Sequence, residues 1–396
     1  MSRRGFPRLV AVGALTAAAL AAPGCGSTFK LPTEQTANRT PPADKSYQMI
    51  ATWKPPELPP GITDVLLIPG PQLYFAFKGD PGQPGHVYEY STTLPNPIAT
   101  DRFRGVLHPA ALAANAASVF VLDQGDTAAA RATVDYSWYQ LDCGTGDTGC
   151  PGCPMTGFLR PIVDLSQYWY VREYDIKGRT LKSAFTDTIF AWVNGIAADA
   201  DGRVYVSGII MHCFPDPFDS RLRTIDNEYR IYRYEPGTGD RYVVGGWRRD
   251  PSFEIVEGTG IGSSQDPRGL SWSAATGAAL FFADHGNNDA QKYALLGGNS
   301  FKLDFCDADT TSLVQPTDAA VDDEGNVYVV DAGNQRVLRF DPQGRECVQR
   351  VDVEINTLGL HLTGPTAAAS LDFNGTNYVY VVDPPVNQVV VFRRRT

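Results

Sequence analysis

The feature that most constrains this chain is a unit that returns at a fixed interval. PTDAAVDDEGNVYVVDAGNQRVLRF, from Pro316, recurs as PTAAASLDFNGTNYVYVVDPPVNQVVVF from Pro365. Pro267, Pro316 and Pro365 stand 49 residues apart, as do Pro60 and Pro109, and each marks a copy of the unit. Fainter copies are DPRGLSWSAATGAALFFADHGNN from Asp266, NGIAADADGRVYVSG from Asn194, HPAALAANAASVFVLDQGD from His108 and PGITDVLLIPGPQLYFAF from Pro60. A period of this length signals stacked units or propeller blades.

The chemistry inside the unit says what kind of blade. Asp322 to Asn326 is a polar cluster ending in Gly-Asn, a composition that supplies the positive-φ residues of a tight turn. Val327 to Val330 is a β-branched and aromatic strand; Asp331, Gly333 and Asn334 break it; Val337, Leu338 and Phe340 resume it, until Asp341, Pro342 and Gly344 stop it again. No helix fits between breakers so closely spaced. A final segment such as RECVQRV or SFKLDFC brings each period to about four strands, and a four-stranded sheet that cannot bury both faces alone is served by radial packing around an axis. The expected fold is therefore all-β: a six-bladed β-propeller of four-stranded blades over residues 47–396. The sixth blade runs out of chain after its third strand, NQVVVFRRRT, and an open edge there needs cover. Tyr47 to Trp53, YQMIATW, is expected to supply it by pairing with Val389 to Phe392, so that an N-terminal strand closes the ring.

These residues resemble the NHL-repeat family of six-bladed propellers, in which a Pro or Gly opens the inner strand, a DG or GN turn follows, VYVVD-like residues form the second strand and an NQRVLRF-like segment opens the third. Blades five and six carry the resemblance, three and four share part of it, and one and two keep only its hydrophobic rhythm. It implies the fold and not the function, because this fold hosts unrelated activities. Enzymes of this architecture hold an ion on the axis, zinc through several histidines or calcium through Asp, Asn and Glu oxygens.

The N-terminus follows a different logic. Arg3, Arg4 and Arg8 flank or precede an Ala/Leu/Val-rich run, Leu9 to Ala22, too short to span a bilayer and suited to a signal-peptide core. APGC, ending at Cys25, resembles the bacterial lipobox, which implies removal of residues 1–24 and lipidation of Cys25. SRRGF resembles the twin-arginine export motif, with Pro7 where an apolar residue usually follows; an ordinary secretory signal cleaved nearby is the alternative. Residues 25–46 then form the lipidated cysteine and a polar, Pro-rich tether with an end-to-end distance of roughly 25 Å. The implied setting is a bacterial cell envelope, on the outer membrane or the outer face of the inner membrane, with a monomeric protein held to the membrane by lipid. The net charge of −10 and the scattered basic residues argue against a nucleic-acid partner.

Six cysteines remain after Cys25, an even number that fits disulfides in an oxidising compartment. Cys143, Cys150 and Cys153 fall in an insertion at about 124–167, between the second and third strands of blade two. Cys213 falls in the corresponding loop of blade three, at about 208–227, and Cys306 and Cys347 belong to outer strands of adjacent blades. Second-to-third-strand loops share one face of a propeller, so the first four are expected to lie close together and to form two disulfides. A four-thiolate zinc site lacks a second CxxC, and a redox CxxC lacks the helix such a motif normally opens.

On that same face the inner-strand openings His108, Asn194, Asp266 and Gln315 crowd the axis with the second-strand ends Asp123, Asp284, Asp331 and Asp383. They are the candidate ligand or cation site, with calcium the ion their oxygens would suit, although Asp and Asn also cap turns by local bonds. Only His108 among the histidines opens an inner strand, which leaves a zinc lyase without ligands; His86, His212, His285 and His361 are expected in turns or insertions. No nucleophile elbow, P-loop or HExxH is present. The expected activity is binding of a protein, peptide or glycan through this face, and the alternative is a hydrolase or lyase with an axial calcium or zinc.

Overall fold

The computed structural model describes residues 47–54, 59–68, 72–79, 83–90, 99–103, 105–125, 139–141, 157–161, 169–177, 179–187, 190, 192–215, 223–246, 248–249, 255–256, 264–275, 277–295, 300–303, 305–306, 311–342, 347–352 and 361–395. The expectations for the signal segment, Cys25 and the tether lie outside these residues, as do Cys143, Cys150 and Cys153 and the side chains of His212, Cys213 and Cys306. Among the described residues no helix is long and apolar enough to cross a membrane.

Strand β1 (Tyr47–Trp53) precedes the first blade, which is β2 (Ile62–Ile68), β3 (Gln72–Phe77), β4 (His86–Tyr90) and β5 (Ala99–Asp101). Blade two is β6 (Pro109–Ala114), β7 (Ser118–Asp123), β10 (Tyr170–Asp175) and β11 (Leu181–Phe185), with β8 (Tyr139–Leu141) and β9 (Gly157–Pro161) in its insertion. Blade three is β12 (Trp192–Ala198), β13 (Val204–Pro215), β14 (Arg223–Tyr234) and β15 (Arg241–Gly246), and a ribbon of β16 (Arg248–Arg249) with β17 (Ile255–Val256) follows. Blade four is β18 (Pro267–Ser273), β19 (Ala279–Asp284), β20 (Asp289–Ala294) and β21 (Phe301–Leu303), followed by β22 (Phe305–Cys306) paired with β23 (Thr311–Ser312). Blade five is β24 (Pro316–Val321), β25 (Val327–Asp331), β26 (Arg336–Phe340) and β27 (Cys347–Arg350). Blade six is β28 (Ala367–Phe373), β29 (Thr376–Asp383) and β30 (Gln388–Arg394), completed by β1. The closure is antiparallel, with Met49 opposite Phe392, Ala51 opposite Val391 and Trp53 opposite Val389.

Each second strand is apolar on both faces because it has a blade on either side. In β25, Val327 and Val329 pack toward blade four, whereas Tyr328 and Val330 pack toward blade six. The period-2 geometry of a strand divides one continuous apolar run between two cores. The buried apolar residues accordingly gather into six clusters, one between each pair of neighbouring blades. Trp53 is the seam residue between blades six and one, set against Phe75, Tyr90 and Tyr380.

Three expectations are corrected. The segment at 208–227 is not an irregular loop throughout, because β13 runs to Pro215 and β14 resumes at Arg223; the β-branched and aromatic residues on both sides let the ladder continue. Cys306 lies in the short ribbon β22, beyond the outer strand of blade four, because the outer strand itself ends at Leu303. Cys347 does open the outer strand of blade five, where it is buried and disulfide-bonded. His86, expected in a turn or insertion, instead opens β4 opposite Phe77, where the ladder of blade one begins, and His212 lies in the part of β13 that runs into the insertion.

Candidate functional site

The six inner strands leave their axis-facing edges unpaired, and these edges surround a channel of about 240 Å³. One residue from the start of each inner strand rings its mouth: Thr63, Ala110, Asn194, Arg268, Thr317 and Thr366. Farther in, the wall turns apolar with Leu66, Leu67, Leu112, Ile196, Leu270 and Val321. The hollow thus joins a polar mouth to an apolar wall, with polar and apolar groups both exposed to it.

The carboxylates at the second-strand ends are fully buried, and their oxygens are engaged within their own blades. Asp123 accepts the backbone N–H groups of His108 at 2.8 Å and Leu107 at 3.1 Å, and Arg172 Nε at 2.8 Å. Asp284 accepts from Gln265 N, Asn287 Nδ2 and Gln291 Nε2 at 2.7, 2.8 and 2.9 Å. Asp331 accepts from Val314 N, Asn334 Nδ2 and Arg336 Nε at 2.7, 2.8 and 2.6 Å. Asp383 accepts from Gly364 N, Thr363 N and Gln388 Nε2 at 2.8, 2.9 and 2.9 Å. Each ties the lead-in to the first strand and the start of the third strand to the end of the second. Burial, with Asp289 nearby adding to it, pushes the Asp284 carboxyl up to about 7.

The four candidate residues from the strand openings separate further. Asn194 and Asp266 meet at the mouth, Asn194 Nδ2 donating to Asp266 Oδ1 at 2.6 Å while Arg268 pairs with Oδ2. Asp266 holds a left-handed backbone, φ +60°, as does exposed Gln315 at +47°, whose N–H reaches Asn288. His108 is buried, and its Nδ1 has no hydrogen-bond partner among the described residues. His285 donates its Nδ1–H to the Pro316 carbonyl at 3.1 Å, and burial, with Arg268 nearby, lowers its pKa. Among the described residues no three His, Cys, Asp or Glu side chains converge as metal ligands would.

Two channel residues escape the sequence reading, Asp64 and Asp318. Asp64 Oδ1 accepts the N–H of Val65 at 2.8 Å, and Oδ2 reaches across to the Leu112 N–H of the next blade at 2.6 Å. Asp318 repeats this with Ala319 and, in blade six, Ala368, both at 2.8 Å. Thr63 Oγ1 donates to the Pro109 carbonyl at 2.9 Å and Thr317 Oγ1 to that of Pro365 at 3.4 Å. Each Thr-Asp pair thus clamps its blade to the following one, and the carboxylate covers an open N–H on that blade's inner edge. The signal was present in the repeat, since ITD at 62–64 and PTD at 316–318 share one register, where the other blades place Ala111, Gly195, Gly269 and Ala367.

Residues 313–340, the inner three strands of blade five with their lead-in, match the family model of the NHL repeat. No curated protein sequence matches the chain. Among solved structures, the chain is similar to a gluconolactonase from Xanthomonas campestris at 10% identity and a TM-score of 0.50, covering 87% of this chain and 89% of that one. It is also similar to a catalytically inactive virginiamycin B lyase from Staphylococcus aureus with quinupristin at 9% identity and 0.47, covering 88% and 99%. A PQQ-bound aldose sugar dehydrogenase from Streptomyces coelicolor follows at 12% and 0.43, covering 89% and 99%. Identities this low speak to the fold alone. The chain is thus an all-β, six-bladed propeller of four-stranded blades whose fifth blade carries an NHL repeat.

Proposed function

We propose that the protein is a binding propeller of the bacterial cell envelope, held there through Cys25, which takes up a protein, peptide or glycan on its insertion-bearing face. One observation carries this reading. The insertions of blades two and three join into a single sheet of order β15-β14-β13-β9-β8, through the pairing of His212 with Phe158 and Cys213 with Gly157. β9 occupies the same edge of β13 as the inner strand β12, about 10 Å beyond the last β12 pair at Ile209. β8 then steps a further ~4.8 Å in the direction of the axis. The projecting sheet therefore reaches toward the channel mouth, a platform that a propeller needing only to close its ring would not build.

The opposite face suits a tether. Tyr47, where β1 begins, bonds to Asn377 and Tyr328 beside the first-to-second-strand turns, so the chain enters from the turn side. The second reading, a hydrolase or lyase with an axial calcium or zinc, rests on the Asn194–Asp266 pair at the mouth. Replacing residues 126–166 by a short linker separates the two. Arrays of peptides and envelope oligosaccharides should show a ligand captured by the parent protein and lost from a variant that still melts cooperatively. Unchanged capture would overturn the binding reading. Stoichiometric calcium or zinc in the purified protein, with turnover of an ester or lactone abolished by chelation, would establish the enzyme instead.

A further inference from the structure

The two Thr-Asp clamps straddle the place where the ring is closed by an N-terminal strand. Asp64 fastens blade one to blade two, and Asp318 fastens blade five to blade six. Both carboxyls line the one channel, where Arg268 is the remaining charged side chain among the lining residues, and it is drawn to Asp266 at the mouth. Asp318 is held without room to swing away. Gly269 of blade four lies so close that a Cβ there would stand 2.2 Å from Asp318 Oδ1, and on its other side Oδ2 is bound to Ala368. A carboxylate in this position can shed its charge more easily than it can reach solvent.

We infer that Asp64 and Asp318 act as one pair of like-charged carboxyls lining the axial channel, making closure of the propeller tighter in acid and looser in base. Each carboxyl keeps its backbone N–H donors whether the pair carries one proton or two. Loss of the last proton sets two like charges against each other in a channel whose other wall residues are mostly apolar. The electrostatics run the same way. Burial, reinforced by the charge of Asp318, raises the Asp64 carboxyl well above its usual range, and burial pushes Asp318 up to about 7. Raised carboxyl pKa values give stability that is fully present below the unfolded value near 4 and is lost as pH rises through the folded one. Asp284 titrates in the same window, so the pair must be read by difference.

The experiment compares the melting temperature of the wild-type protein, Asp64→Asn and Asp318→Asn from pH 4.5 to 8.5. An Asn cannot accept both N–H groups, so each variant melts lower in acid. Removal of one charge of the pair spares the survivor its repulsion, so the gap to wild type should close by roughly 2–4 °C as pH rises. A gap that stays constant across the range would overturn the inference. Carboxyl ¹³C NMR on aspartate-labelled wild-type protein requires no variant to fold: two resonances should titrate together in two linked steps. Aspartates that all titrate singly would refute the pairing.

Discussion

Blades three and five are alike at one end and different at the other. At the turn end, Asp199 Oδ1 accepts the N–H groups of Asp201 and Arg203 at 3.0 and 2.9 Å, and Asp322 Oδ1 those of Glu324 and Asn326 at 3.0 and 2.8 Å. Six residues after each Asp, a tyrosine hydroxyl returns to its second oxygen, Tyr205 at 3.1 Å and Tyr328 at 3.0 Å. At the mouth end, Pro316 faces Asp331, while Val193 in the same register faces Gly208. Asp331 draws the chain into a short 3-10 turn at Ala332–Asn334 and ends the ladder. Blade three lacks the carboxylate, and its β13–β14 ladder runs on to Pro215. The turn-end aspartate is thus local equipment that any blade can carry. Between these two blades, the mouth-end aspartate marks the difference between a ladder that stops and one that runs on.

Removing the stop from blade five is expected to have the largest effect. Asp331→Ala leaves Arg336, 2% exposed, without its 2.6 Å partner and frees the Val314 N–H. Breaking a buried ion pair on one side costs about 3–5 kcal/mol, readable as a fall in the urea midpoint at constant slope. A loss under about 1 kcal/mol would show that blade five terminates without its carboxylate, and the contrast with blade three would then need another cause.

The same contrast explains what could be read from the sequence. Blades five and six were legible because each strand, turn and stop uses the residue type its local geometry demands: Gly325 at φ +85°, and Asn374 and Gly375 at +52° and +75°. Tyr47 to Trp53 was legible through a deficit, a blade one strand short. Asp123, Asp284, Asp331 and Asp383 end their second strands, as the repeat indicates, but their partners include backbone N–H groups some 15 to 20 residues away in sequence, which no motif announces. The clamps of Asp64 and Asp318 cross from blade to blade over 48 and 50 residues. The pairing of β13 with β9 was hidden because it joins the insertions of two blades, which no local pattern announces.

Gly208 offers the reverse manoeuvre. The repeat would welcome an aspartate there, yet a Cβ at this position would stand 2.3 Å from the Trp192 carbonyl and 2.6 Å from the Phe190 ring. Gly208→Asp is therefore expected to destabilise by ~1–3 kcal/mol through overpacking, measured by the same urea titration. A neutral or stabilising result would mean that Phe190 can withdraw and that blade three accepts the stop after all.

The smallest effects should come from the turn-end tyrosines, where the blades look equivalent and differ in what lies behind them. Asp199 keeps Arg203 when Tyr205 loses its hydroxyl, and that arginine is partly exposed, so Tyr205→Phe should cost ~0.5–1.5 kcal/mol. Tyr328 is fully buried, and its hydroxyl also stands 2.9 Å from that of Tyr47 and 3.1 Å from Asn377 Oδ1. Tyr47 belongs to the closing strand, so this tyrosine couples the turn of blade five to the seam of the ring. Tyr328→Phe should cost more, ~1–3 kcal/mol, because buried polar groups are left short of a partner. The discriminating measurement is a double-mutant cycle with Tyr47→Phe. If the hydroxyls act as one network, the two losses fall short of adding by at least ~0.5 kcal/mol. Strict additivity would show that the two tyrosines merely touch, and that ring closure rests on the β1–β30 ladder and the packing of Trp53 alone.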